Sequence, residues 1–198
     1  VARVYSGGRR RLPVSEAKLS CMATDFQRRK ISTVFGAMDA DADGYLTESD
    51  FRALTARWLD VRGTDAGTPE GEKLATIMMG WWATLLDASD RDRDGKVTLD
   101  EVLSVVDELP TMPTAVTGTA AAMFEAVDEN GDGTISAAEY RRMIEAWSGA
   151  GVPTDEVFAL LDTDGDGRLS HDEFTGHWYE FWAGDDPAAA GSWVFGRV

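Results

Sequence analysis

One twelve-residue pattern occurs four times in this chain, beginning at Asp39, Asp90, Asp128 and Asp162 and reading DADADGYLTESD, DRDRDGKVTLDE, DENGDGTISAAE and DTDGDGRLSHDE. Each copy places oxygen-bearing side chains first, third and fifth, glycine sixth, an aliphatic residue eighth, a hydroxyl ninth and a carboxylate twelfth. Alternate residues point the same way, so three oxygens converge on one point. The chain must then turn through a φ > 0 conformation that glycine adopts cheaply. A set of merely solvated acidic loops has no reason to repeat that spacing with the hydroxyl and the acid at fixed offsets. The chain is therefore built around four loops that each wrap a hard cation.

This is the ligand order of an EF-hand calcium loop. The first three ligands are Asp39, Asp41 and Asp43; Asp90, Asp92 and Asp94; Asp128, Asn130 and Asp132; and Asp162, Asp164 and Asp166. The seventh place contributes only its backbone carbonyl, which leaves the side chain free to vary, as Tyr45, Lys96, Thr134 and Arg168 do. Leu46, Val97, Ile135 and Leu169 at the eighth suit a short β-bridge between paired loops. Thr47, Thr98, Ser136 and Ser170 at the ninth are expected metal-site residues and also good N-caps, with a carboxylate three residues on as in a capping box. Glu101, Glu139 and Glu173 are long enough to chelate with both oxygens, whereas Asp50 is one methylene shorter. A single-oxygen contact there predicts weaker calcium selectivity and tolerance of magnesium at the first loop. The cofactor expectation is up to four Ca2+ ions, with Mg2+ possible at the first loop.

Each loop should lie between two amphipathic helices. Apolar residues fall one and four places before the loop at Met38 and Phe35, Val127 and Phe124, and Leu161 and Phe158. The second hand has Ser89 and Leu86, a poorer match. After the loops the stripe continues through Phe51 and Leu54, Val102 and Val105, Tyr140 and Met143, and Phe174 and Trp178. The expected fold is all-α: four EF-hands in two pairs packed into one globule, with β-bridges between paired loops and a folded-back tail. Loop starts lie 51, 38 and 34 residues apart. The long first gap holds a Gly-rich polar stretch, after which Thr68 and Pro69 begin a long helix through Trp81 and Trp82. Two prolines in LPTMPT break the chain near residue 111. Gly149 and Gly151 end the next helix, and Thr154 is placed to cap the one after it. The expected organisation is an extension over 1–21, a first pair over 22–111, a second over 112–183, and a tail over 184–198 packing on the core. Trp193, Val194 and Phe195 would be a liability if exposed, so the tail should fill the apolar interior between the pairs.

A formal charge of −16 argues against nucleic acid or anionic membrane as a main partner. Fifteen of the acidic residues are expected ligands, and four calcium ions would bring the charge to −8. Metal binding should therefore stabilise the fold strongly. Cys21 is the only cysteine, so neither an internal disulfide nor a cysteine metal site is available. His171 and His177 have no plausible catalytic partners, and nothing in the sequence supports enzymatic activity. His171 is expected to be solvated. The basic first 21 residues lack the apolar stretch of a signal peptide, and the functional polypeptide is expected to begin near Met22. A cytoplasmic monomer is the default expectation.

Residues 22–198 resemble the sarcoplasmic calcium-binding protein family, including compact bacterial members of the calerythrin type. The resemblance rests on the four loops, the long first spacing, the tryptophan-rich third helix and the closing WYEFWAGDDPAAAGSWVFG. It implies two EF-hand pairs packed around a hydrophobic interior, and calcium buffering more than target activation. The family commonly has a degenerate second loop, whereas Asp90 to Glu101 here keep every ligand. Three readings follow: an intracellular Ca2+ buffer or transporter, a Ca2+ sensor exposing an apolar surface to a protein partner, and a small-molecule carrier of photoprotein type.

Overall fold

The structure, a computed structural model, describes residues 23–196. The expected N-terminal extension and the start near Met22 lie outside the described residues. Helix α1 spans Asp25–Met38, and its N-cap Thr24 accepts from the Gln27 amide at 3.1 Å. Strand β1 is Tyr45–Leu46, and α2 runs Glu48–Arg62, ending on Gly63 at φ 63°. Thr68 and Pro69 start α3, Pro69–Ser89, as the sequence predicts. Gly71 in its first turn is obligatory, because a Cβ there would sit 2.3 Å from the Asp65 carbonyl oxygen. Strand β2 is Val97–Thr98 and α4 is a short helix, Leu99–Val106.

A 3-10 turn over Leu109–Thr111 then leads into α5, Pro113–Val127, so both prolines sit where a helix starts and neither interrupts one. Strand β3 is Thr134–Ser136, α6 Ala137–Ser148, α7 Asp155–Leu161, β4 Arg168–Ser170 and α8 His171–Ala183. Ala190–Trp193 form a final 3-10 turn. Thr154 precedes α7 but makes no side-chain cap: its backbone is already helical (φ −116°, ψ −14°), which turns the hydroxyl away from the exposed amides.

The expected β-bridges form. Leu46 faces Val97 across β1 and β2, and Ile135 faces Leu169 across β3 and β4, both antiparallel. Each bridge joins two loops and buries its aliphatic pair completely, so the loops of a pair are held back to back.

The helices enclose one continuous core. Its centre is aromatic and is supplied by residues far apart in sequence. Trp81 of α3 meets Trp147 of α6 at 5.6 Å between ring centres and Trp178 of α8 at 6.2 Å. Phe195 enters from the C-terminal end, 4.7 Å from Trp147, 4.8 Å from Phe181 and 5.3 Å from Trp178. Tyr140 holds the same segment by donating its hydroxyl to the Val194 carbonyl at 3.2 Å. Gly191 lets this segment approach α8, since a Cβ would lie 2.5 Å from the His177 carbonyl oxygen.

The first and last helices are fastened together. Lys30 of α1 donates from Nζ to the carbonyls of Phe181 at 2.8 Å and Gly184 at 2.9 Å, closing the C-terminal end of α8. Gln27 adds a bond from Nε2 to the Trp182 carbonyl at 3.1 Å. A cation suits a helix C-terminus, whose last carbonyls carry partial negative charge. Burial pushes the Lys30 ammonium down to about 8, against the pull of Asp185 and Glu180.

Candidate metal centres

In each loop the first aspartate organises the backbone. Its carboxylate accepts from the amide of the sixth-place glycine: Gly44 to Asp39 at 2.9 Å, Gly95 to Asp90 at 3.0 Å, Gly133 to Asp128 at 2.9 Å and Gly167 to Asp162 at 2.8 Å. The fifth-place side chain accepts in turn from the seventh-place amide, as from Tyr45 to Asp43 at 2.9 Å and from Lys96 to Asp94 at 2.8 Å. Thr134 and Arg168 donate likewise, to Asp132 at 3.0 Å and to Asp166 at 2.8 Å. These bonds curl the loop so that the remaining oxygens face inward.

The twelfth-place acid ties the two ends of each loop. One oxygen accepts from the second-place amide: Ala40 to Asp50 at 3.0 Å, Arg91 to Glu101 at 3.2 Å, Glu129 to Glu139 at 3.1 Å and Thr163 to Glu173 at 2.9 Å. The other accepts from the ninth-place residue, Thr47, Thr98, Ser136 or Ser170, through both amide and hydroxyl. Asp50 makes the same two attachments as the glutamates despite its shorter side chain. For Glu173, burial raises the pKa, but the amides and hydroxyls of Ser170 and Thr163 together outweigh it and hold the carboxyl at about 2. The Thr98 amide leads the same downward pull on Glu101.

Side-chain oxygens within 4.8 Å of one another gather in three loops: Asp39, Asp41 and Asp43; Asp90, Asp92 and Asp94; and Asp162, Asp164 and Glu173. Such hard anionic oxygens fit calcium, which takes six to eight oxygen ligands. The third loop has an amide, Asn130, at its third place and carries an additional contact. There Asp132 accepts from the Thr134 hydroxyl at 2.7 Å, from Asn130 at 3.1 Å and from Arg168 at 2.9 Å. The Thr134 and Arg168 bonds hold its carboxyl at about 2. Arg168 also donates to the Thr134 hydroxyl at 2.7 Å. It belongs to the fourth loop, so the seventh-place side chain that the sequence reading left indifferent reaches across the bridge onto a ligand of its partner. We expect Arg168→Gln to tighten calcium at the third loop by about twofold to fivefold, the scale of an exposed ion pair. Calcium titration followed at the Gly133 amide by NMR checks this, and weaker binding in the variant would contradict it.

Two further features escaped the sequence reading. The fourth place of each loop requires left-handed backbone, with φ of 57° at Ala42, 63° at Arg93, 69° at Gly131 and 73° at Gly165. The last two loops meet this with glycine and the first two do not, so the first two carry backbone strain. The signal was present in the contrast between DADA and DRDR on one side and DENG and DTDG on the other. The second feature is Glu129, the second residue of loop three. Its carboxylate pairs with Arg142 of α6 at 2.9 Å and with Arg62 of α2 at 3.1 Å. Arg62 also donates to the Ala126 carbonyl, so the end of α2 is tied to the entrance of the third loop.

The histidines hold structural places. His177 is buried and donates from Nε2 to the Leu161 carbonyl at 2.7 Å. His171 is exposed, as expected, with its ring edge-on to Phe124 at 5.0 Å. No helix of the described residues is long and apolar enough to cross a membrane.

Comparison with known proteins agrees with this geometry. The family described as the EF-hand domain pair matches residues 119–179, and the EF hand family matches residues 31–55 and 83–106. Sarcoplasmic calcium-binding protein 1 of Astacus leptodactylus is 29% identical over 175 residues, covering 81% of this chain and 90% of that one. The beta chain from Penaeus sp. is 32% identical over 110 residues, covering 52% of this chain and 57% of that protein. Calerythrin of Saccharopolyspora erythraea is 26% identical over 162 residues, covering 77% and 89%. Among solved structures, a Streptomyces coelicolor calcium-binding protein superposes with a TM-score of 0.66 at 27% identity, covering 81% of this chain and 99% of that one. With its repeated loops, bridged in two pairs over one aromatic core, the chain belongs to the EF-hand proteins of the sarcoplasmic calcium-binding protein and calerythrin type.

Proposed function

We propose that this protein is a calcium buffer or transporter that binds its ions without opening, as a monomer in the cytoplasm. Each loop supplies its first-, third- and fifth-place side chains, the seventh-place carbonyl and the twelfth-place acid, with the ninth-place hydroxyl fixing that acid. Asp50, with its shorter reach, makes the first loop the one that also accepts magnesium. One observation carries the closed reading: Val194 and Phe195 are buried among Trp147, Trp178, Phe181 and Trp182, in the interior that a sensor EF-hand would offer to a target.

A second reading, a sensor that releases this segment, is favoured by the Streptomyces coelicolor relative, which is described as a basis for prokaryotic calcium-mediated regulation. An apolar-surface dye separates the two. With magnesium present at about millimolar concentration throughout, dye fluorescence is expected to fall or stay level as calcium binds. A rise on calcium addition would replace the buffer with the sensor.

A further inference from the structure

Asn130 is the only asparagine in the chain, and a glycine follows it. It holds the third place of the third loop, where the other loops carry Asp41, Asp92 and Asp164. The side-chain carbonyl of an asparagine is open to attack by the backbone nitrogen of the next residue. The two groups sit on adjacent residues, so the attack is intramolecular, which removes most of the cost of bringing them together. A side chain on the following residue obstructs the approach, and Gly131 has none. Both residues are exposed, so water reaches them.

Three hydrogen bonds of the loop bear on this chemistry. The Asp132 amide donates to Asn130 Oδ1 at 2.8 Å, placing a donor where negative charge develops as Cγ becomes tetrahedral. The Gly131 amide, the attacking group, donates to Asp128 Oδ1 at 2.8 Å, which leaves its nitrogen richer in electrons. Asn130 Nδ2, the departing group, donates to Asp132 Oδ2 at 3.1 Å. The fourth loop repeats the backbone pattern, from Gly165 to Asp162 at 2.8 Å and from Asp166 to Asp164 at 3.1 Å. It presents a carboxylate in place of the amide, however, and a carboxylate resists a nucleophile.

We propose that Asn130 is a site of self-modification, deamidating through a cyclic imide when the third loop holds no calcium. The Gly131 nitrogen bonds to Asn130 Cγ, the Cγ–Nδ2 bond breaks, and Nδ2 leaves as ammonia with the Gly131 amide proton. Water then opens the ring at one of its two carbonyls, and no other reactant is needed. One opening leaves aspartate, which gives the third loop the three aspartates that the other loops carry. The other leaves the β-linked isomer, whose longer backbone spoils the spacing of the ligands. The new carboxylate would face Asp132, and Arg168, on Asp132 at 2.9 Å from across the bridge, is placed to offset that repulsion. Calcium takes Asn130 Oδ1 as a ligand and so stops the side chain turning toward Gly131. The chain therefore keeps a covalent record of time spent without calcium. That protection rests on the third loop binding calcium, whereas the reaction itself does not.

The test incubates the full chain with chelator or with excess calcium and follows residue 130 by peptide mass mapping. Conversion to the acid is expected with chelator, and at least about tenfold more slowly with calcium, since a loop that reacts only when empty is protected by the factor 1 + [L]/Kd. Glu139→Gln weakens calcium at the third loop and leaves the other loops to hold the fold. That variant should convert in calcium as fast as the chelated parent, which separates an empty loop from an unfolded chain. Asn130→Asp should show no conversion under any condition. The Gly133 amide, followed by NMR, reports separately whether calcium fills the loop. An unchanged residue 130 in the chelated parent would overturn the proposal. So would a Glu139→Gln variant that stays protected with its third loop empty, or equal rates with and without calcium once the Gly133 amide shows the loop filled. A Gly133 amide that never responds would sink the metal reading of this loop, while conversion with chelator would still support the modification.

Discussion

Phe195→Ala is expected to destabilise the calcium-loaded protein by about 3 to 5 kcal/mol, the range for emptying a buried aromatic site. The phenyl ring packs against four aromatic neighbours contributed by α6 and α8. Those helices cannot close over the gap, because each is pinned at its N-terminal end by a loop and a β-bridge. The residue void therefore persists, which is the condition under which such substitutions cost most. Urea unfolding followed by circular dichroism measures the loss. The same variant should bind an apolar-surface dye that the parent excludes. A loss below about 1 kcal/mol would mean that the C-terminal segment is a loose cover and would remove the support for a closed interior.

Removing calcium is expected to have the other large effect. Each loop that binds only in the folded state adds RT ln(1 + [L]/Kd), about 4.1 kcal/mol when calcium stands 1,000-fold above the dissociation constant. Several loops filled together would exceed the stability of an ordinary domain, so the chelated protein should melt far lower or lose its fold. Electrostatics push the same way. The oxygens of Asp39, Asp41 and Asp43 lie within 4.8 Å of one another, as do those of the second and fourth loops, and without a cation they repel. Added salt should recover part of the stability of the chelated protein, because these side chains are largely exposed and screened. Thermal melts with calcium, with chelator, and with chelator plus salt give the answer. A melting temperature indifferent to calcium would refute the metal sites altogether.

The loops were legible because their chemistry is local. A cation cage is built within twelve residues, so spacing alone identifies Asp39 to Asp50 or Asp162 to Glu173. The bridges followed from the same register, since Leu46, Val97, Ile135 and Leu169 share one loop position. Thr68 and Pro69 announced α3 through their own backbone preferences. What sequence could not disclose depends on three-dimensional approach. Arg168 lies on Asp132 only because β3 and β4 pair. Thr154 looked like a cap by residue type, but its own backbone dihedrals deny it that role. Ser89 read as a poor match to a stripe, yet its place is as fully buried as those of Met38, Val127 and Leu161. Lys30 gave no signal at all: a lone lysine on an amphipathic helix is ordinarily a solvated one.

That lysine also governs when the fold can be finished. Its acceptors lie some 150 positions downstream, in the final helix. During synthesis α1 is made well before α8 and can settle its hydrophobic face early, but the clasp stays undone until α8 has emerged. Pairings of such long sequence separation slow folding and are completed late. They also oppose piecemeal opening, since the first hand cannot leave the globule without uncapping the last. A fold whose first hand holds its fourth is thus made to gain and lose its structure, and with it the geometry of its ion sites, in one cooperative step.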